Sequence, residues 1–263
     1  MSTSPLNLVR AVAVRQVKER LRYRFDLVAL IGVTYVIFLL ILLGARTVSG
    51  GSGPGGFGGD DAAGLAVGFV VVTLATLMYG FVSQGLREEA DRGTLEQVAM
   101  SPYGLATVLV ASTAVAAVFQ VVEAAILLVA ASLTAGVALE LQPAGLVAAL
   151  PALLALLVGV QGLGLVVGGV ALVAKRVQAL AGLLPLGFVV LVAAPVDDVP
   201  VLRLLPVAAP AQVLQDVLVR AEPLPVVDVL VALAVGAAWF ALGLLVFGVC
   251  ERLARDRALL GQY

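Results

Sequence analysis

The sequence predicts an all-α polytopic membrane protein with six transmembrane helices, and three observations carry that prediction. Mean hydropathy is +1.11 and only 13% of residues are charged, whereas soluble domains hold roughly a quarter. Apolar runs recur along the whole length, and a bilayer span needs about 20 such residues. The basic residues sort by side: thirteen of the 16 Lys and Arg fall on one face of a six-span chain, leaving Arg46, Arg203 and Arg220 on the other. The positive-inside rule then places both termini in the cytoplasm. Beside that placement a net charge of −1 says little.

Residues 1–25 carry six of those basic residues, Arg10, Arg15, Lys18, Arg20, Arg22 and Arg24. Leu6, Val9, Ala13, Val17 and Leu21 recur at helical spacing, with Arg15, Lys18, Glu19 and Arg22 opposite. This is the pattern of an amphipathic helix lying on the cytoplasmic surface, not of a cleavable signal segment. Arg10 and Arg20 crowd the apolar edge, which also suits a merely basic, disordered segment. The expected spans are Leu27–Gly44, Ala62–Ser83, Leu105–Gly136, Leu146–Ala174, Val177–Val196 and Val226–Cys250.

The connections differ in character. GGSGPGGFGGDD (Gly50–Asp61) has no Lys and no strand-to-helix context, so it reads as a flexible external linker and not as a nucleotide loop. The external loop, 196–226, is long and punctuated by proline. Val213, Leu214, Val217 and Leu218 give it a short helix with one apolar face, re-entrant or lying at the outer interface. A cytoplasmic tail, 251–263, completes a single domain of 263 residues.

The cytoplasmic connection between the second and third spans is the most polar part of the chain: REEADRGTLEQVAMSP, residues 87–102. Leu86 to Ala90 continue the second helix out of the bilayer, and Gly93 supplies a stop. Thr94 and Gln97 form a capping box, Glu96 meets the helix dipole in the first turn, and Leu95, Val98 and Ala99 share an apolar side. Ser101-Pro102 is a second start signal that launches the third span. A minimal turn needs only about two to eight residues. A capped helix with an apolar side beneath the membrane instead suggests a docking surface for a cytoplasmic protein.

Glu89, Asp91 and Arg92, then Gly93-Thr94-Leu95-Glu96-Gln97, then Ser101-Pro102 resemble the E-x-x-x-GTLE-x-L-x-x-x-P stretch of type-2 ATP-binding-cassette (ABC) exporter permeases, with Val98 at the usual leucine position. Leu183-Leu184-Pro185-Leu186, Pro195, the Leu205-Pro206, Pro210 and Arg220 spacing, and the ending Arg255 to Tyr263 are similar to the same family. The resemblance implies that residues 85–104 form a coupling loop, whose ATPase-contacting residues are Arg87, Glu88, Glu89, Arg92, Gly93, Thr94, Leu95, Glu96, Gln97 and Pro102. It implies that residues 1–25 are the elbow helix. The partners implied are two copies of a cytoplasmic ABC ATPase subunit, which holds ATP and Mg, and a second permease copy, identical or related.

Within the spans, Glu123 lies near the middle of the third, Gln120 one turn away on the same face, and Gln161 in the fourth. A carboxylate at that depth costs roughly 2 to 3 kcal/mol or more, and no Lys or Arg within the spans is available to pair with it. Two readings fit: Glu123 faces a hydrated substrate path or relays protons, or it is packing glue, hydrogen-bonded to Gln161 or a neighbouring helix. Gly64-x-x-x-Gly68 and Gly164-x-x-x-Gly168 read as close helix contacts.

The chain has no His and one Cys, so Cys/His zinc sites, internal disulfides and His-based catalysis drop out. No G-x-x-x-x-G-K-[ST] string occurs, so ATP is not held by a P-loop of this chain. No cofactor is expected on it, nucleic acid is an unsuitable partner, and the chemistry of an enzyme is missing. The leading expectation is a multi-pass permease of the plasma (inner) membrane exporting a lipophilic drug, lipid or natural product. Its candidate path takes in Gln120, Glu123, Gln161, Leu183 and Leu184 and leaves past Pro185 to Arg220. The alternative is an ion-coupled secondary transporter with Glu123 as its proton site.

Overall fold

A computed structural model describes residues 5–48, 59–91, 104–135, 143–173, 178–194, 199–220 and 225–256. Within them the chain is helical throughout. Its helices are α1 (Pro5–Arg22), α2 (Arg24–Val48), α3 (Gly59–Asp91), α4 (Leu105–Ala135), α5 (Pro143–Val173), α6 (Gln178–Ala193), α7 (Ala208–Leu218) and α8 (Val226–Asp256), with a 3₁₀ turn at Pro200–Leu204 before α7.

Among the described residues, five helices are long and apolar enough to cross a membrane: α2, α3, α4, α5 and α8. The expected fifth span, Val177–Val196, is described only in part, and its end positions lie outside the described residues. Its helix α6 has 16 residues, about 24 Å at 1.5 Å per residue against a hydrocarbon core of about 30 Å. By contrast α3, with 33 residues, is about 50 Å long. It carries the helix through Arg87–Asp91, as the sequence predicts. The capping box at Thr94 and Gln97 and the Ser101-Pro102 signal lie outside the described residues.

The third span begins at Leu105, the bound expected of it. Gly104 has φ +75° immediately before Leu105, and the Val108 N–H donates to the Gly104 carbonyl at 3.2 Å. A left-handed residue interrupts a right-handed helix, and glycine alone takes it without a Cβ penalty, so Gly104 is the boundary.

The bundle is built on backbone contact between α5 and α8. A Cβ on Gly162 would meet the Trp239 carbonyl at 2.4 Å, one on Gly243 the Gly162 oxygen at 2.3 Å, and one on Gly236 the Ala155 oxygen at 2.7 Å. A Cβ on Gly169 would meet the Phe247 backbone at 2.9 Å. These partners ascend together along both helices, so α5 and α8 run parallel. In lipid, side-chain burial gives little drive for helices to associate, and close approach through small residues gives van der Waals contact in its place. Gly164 is used this way against Val82 of α3, and Gly68 against Val192 of α6, whereas a Cβ on Gly64 would meet nothing among the described residues. The two G-x-x-x-G motifs are therefore not equivalent contacts.

Around this pair, α3 runs antiparallel to α4. Val82 clusters with Leu105 at one end, and Ala62 and Ala66 with Ala131 at the other. Tyr79 of α3 stacks edge-on against Phe188 of α6 with centroids 6.0 Å apart. The expected short helix of the external loop is α7. Its Val213, Leu214, Val217 and Leu218 are buried, as are most of its other residues, and it is wedged against α3, α5 and α8. Two further contacts hold the wedge. Pro206 fills the space beside Gly159, and the Trp239 indole N–H donates to the Leu204 carbonyl at 2.8 Å.

Overpacking a backbone contact costs about 1 to 3 kcal/mol. Gly162→Val is therefore expected to lower the thermal stability of the detergent-solubilised protein by that amount, while Gly64→Ala leaves it unchanged. Trp239 is the chain's one tryptophan and lies at the contact, so its fluorescence during melting reads the difference.

Candidate functional site

The first helix exists as expected, and it packs against α4. Only Tyr23 separates α1 from α2, and helical hydrogen bonds continue across it, from the Tyr23 N–H to Glu19 at 3.0 Å and from the Leu27 N–H to Tyr23 at 3.3 Å. The chain therefore kinks here without turning away. Gln16 donates from Nε2 to the Ser112 carbonyl of α4 at 2.9 Å, and one turn later Arg20 reaches Glu123. Both contacts advance in the same direction along α4, so α1 leans along that helix. Its face towards the bundle is Leu8, Val12, Gln16 and Arg20, spaced every four residues. The predicted apolar stripe points away: Val9, Val17 and Leu21 are 43%, 40% and 63% exposed, free to meet hydrocarbon.

No Lys or Arg within the expected spans pairs with Glu123; the cation that reaches it comes from outside them, Arg20 of α1. Its Nη1 donates to Glu123 Oε1, and its guanidinium carbon lies 4.6 Å from the centre of the Phe119 ring. Phe119 and Glu123 are i and i+4 on α4, so they share a face and hold the guanidinium between a ring and a carboxylate. A lone ionised group at bilayer centre costs about 2.5 to 3.5 kcal/mol. The ion pair and the ring contact offset that cost for both groups at once.

Gln161 does not join them. Its Nε2 donates to Thr113 Oγ1, and Thr113 in turn donates to the Leu109 carbonyl at 2.9 Å. Thr113 precedes Glu123 by ten residues, about 15 Å along α4, so the proposed Glu123–Gln161 contact is replaced by a local α4–α5 bridge. Gln120 remains beside Glu123. It is 4% exposed, and its Oε1 has no hydrogen-bond partner among the described residues. Leu183 and Leu184 are also separate: Leu183 is exposed on α6, and Leu184 packs on the main core.

Gln120 and Glu123 line a cavity of about 920 Å³. One wall is α1, with Arg15, Lys18, Glu19, Arg20 and Arg22. The opposite wall is apolar, drawn from α3 (Leu77, Phe81) and α4 (Leu105, Val108, Leu109). Ligand sites commonly occupy about 300 to 1,000 Å³ with largely apolar linings and a few polar anchors. The structure thus brings together two of the five predicted path residues and adds the basic face of α1. The signal for that addition was the position of Arg20 at the edge of the apolar stripe. The residues expected to meet an ATPase lie outside the described residues except for Arg87, Glu88 and Glu89, which fall on the last turns of α3.

Breaking the ion pair leaves a buried carboxylate without its cation, and with Arg20 28% exposed the cost is about 1 to 3 kcal/mol. Arg20→Ala is expected to release α1 from α4. In a Cys250→Ser background, a short bis-maleimide should join Gln16→Cys to Ser112→Cys, and adding Arg20→Ala should reduce the yield. An unchanged yield would show that the ion pair does not hold α1.

The model of the ABC-2 type transporter family matches residues 7–221, most of the 263-residue chain. No curated protein matches the sequence, and no solved structure does.

Proposed function

We propose that this chain, which belongs to the ABC-2 type transporter family, is the permease subunit of an ABC exporter for a lipophilic cargo, driven by ATP hydrolysed on a separate subunit. The family match over residues 7–221 carries the reading. Permeases of this family are not themselves catalytic; they dimerise and work with an ATPase subunit. In this reading the complex holds two permease copies and two ATPases, with ATP and Mg on the latter. It sits in the plasma membrane with both termini cytoplasmic.

Six passes suit the helix directions. Because α5 and α8 run parallel, the chain between them must return to the side from which α5 started. The short helix α6, antiparallel to α3 through Phe188–Tyr79 and Val192–Gly68, supports that return, and α7 then dips back as a re-entrant wedge. The end of the bundle where α3 finishes and α4 begins is the one the positive-inside rule assigns to the cytoplasm.

Coupling is proposed through Arg87 to Pro102. An α3 that runs about 50 Å without a break would deliver the loop to an ATPase below the bilayer. Glu96 and the capped turn at Thr94 would dock in that subunit. The Glu123 proton-carrier alternative loses its motivation, since Glu123 is engaged by Arg20.

Purification from the native membrane in mild detergent should recover a P-loop ATPase with the chain. Glu96→Lys should leave the permease dimer intact and lower transport at least about tenfold, the effect of ~1.4 kcal/mol lost at a charged contact. Recovery of no ATPase, together with transport that persists without ATP and collapses with the proton gradient, would overturn the reading in favour of an ion-coupled carrier.

A further inference from the structure

The cleft between α1, α3 and α4 is asymmetric in chemistry. Its α1 wall carries four cations, of which two are neutralised within the chain: Arg15 by Glu19 at 3.0 Å and Arg20 by Glu123. Lys18 and Arg22 line the same wall and have no carboxylate partner among the described residues. The α3 and α4 lining is mostly aliphatic and aromatic, with Thr76 and Ser112 among it, and the buried Gln120 carboxamide adds an oxygen without a hydrogen-bond partner among the described residues. Lys18 and Arg22 are exposed, so an apolar ligand would use neither cation, and a free anion would leave the Leu77, Phe81 and Leu109 wall bare.

We propose that this cleft takes an anionic amphiphile, a molecule with an acidic phosphate or carboxylate head and an apolar tail, as the cargo of the permease, a proposal that rests on the transport reading above. Lys18 and Arg22 attract the head, and the α3 and α4 wall covers the tail. Arg20 is the second anion site, occupied in this structure by Glu123. A cargo anion competes with that carboxylate, so loading loosens the contact that holds α1 to α4. The cavity, about 920 Å³, suits a single-chain molecule.

Binding to the purified chain without an ATPase, in phosphatidylcholine nanodiscs that contain no anionic lipid, tests this independently of transport. The probes are hexadecyl phosphate, hexadecyl phosphocholine and hexadecanol, which share one tail. Hexadecyl phosphate is expected to bind at least about tenfold more tightly than the other two, and less tightly as salt screens the head. Lys18→Gln with Arg22→Gln should remove about tenfold of that affinity, whereas Glu123→Gln should raise it several-fold by freeing Arg20. Equal binding of the three probes overturns the proposal. So does phosphate binding that weakens in the Lys18/Arg22 variant but is unchanged in Glu123→Gln, a result that assigns the basic face of α1 to the bilayer surface. Neither result bears on co-purification of an ATPase, which tests the permease reading separately.

Discussion

A chain that lives in lipid gains little by hiding leucine from its surroundings, because hydrocarbon tails are as apolar as its own side chains. Cohesion must come from surfaces that approach more closely than lipid can, and here that surface is the α5–α8 contact. Glycines at 159, 162 and 169 on α5 and at 236 and 243 on α8 leave backbone against backbone, or against Pro206 and Phe247, with no room for a Cβ. The other elements are placed relative to this pair. The Pro206 ring seats the external wedge on Gly159, Trp239 holds the 3₁₀ turn, and Gly164 admits Val82 of α3. A bulkier residue at Gly162 would therefore disturb the wedge as well as the helix pair.

Close packing defines the core, and charge defines the cleft. Outside the α5–α8 core, α2 and the outward stripe of α1 leave much of their apolar surface exposed, as expected of helices facing lipid or a second copy of the chain. Among the described residues, the directional contacts that join α1 to α4 include Gln16 to Ser112 and Arg20 to Glu123. Elements held by few buried contacts open at low free energy and are those that moving parts are drawn from. A permanently packed wall beside a loosely pinned one is the arrangement that lets a cleft change volume without unfolding the bundle.

The parts of the fold that depend on local composition were legible in the sequence. Run length gave five of the six expected spans as long apolar helices, and spacing at Val213, Leu214, Val217 and Leu218 gave the short helix α7. What depends on pairing between distant segments was not. Arg20 and Glu123 are 103 positions apart, and periodicity alone assigned Arg20 to the edge of a surface helix. The G-x-x-x-G search asked which glycines share a face within one helix. The contact depends on whether the partner also presents small atoms at that level, as Gly243 does to Gly162 and as nothing among the described residues does to Gly64.

The length of α3 ties these features to the proposed mechanism. One unbroken helix touches α6 and α7 near Gly68, α5 and α4 near Val82, and then extends past the bundle through Asp91. An uninterrupted helix has no residue that absorbs a bend, so a push on its last turns is carried along its whole length, unlike a push on a chain with a hinge. Val82 against Gly164 lies between the two ends and is the natural pivot, because the contact is tight and its partner belongs to the rigid α5–α8 pair. Motion of the Arg87–Pro102 loop about that point would move the Gly68 end against α6 and the wedge in the opposite sense. It would also shift Leu77 and Phe81, which line the apolar wall of the cleft. The same helix would thus couple nucleotide-driven movement below the membrane to the cargo cleft and to the far side, without any change in the α5–α8 core.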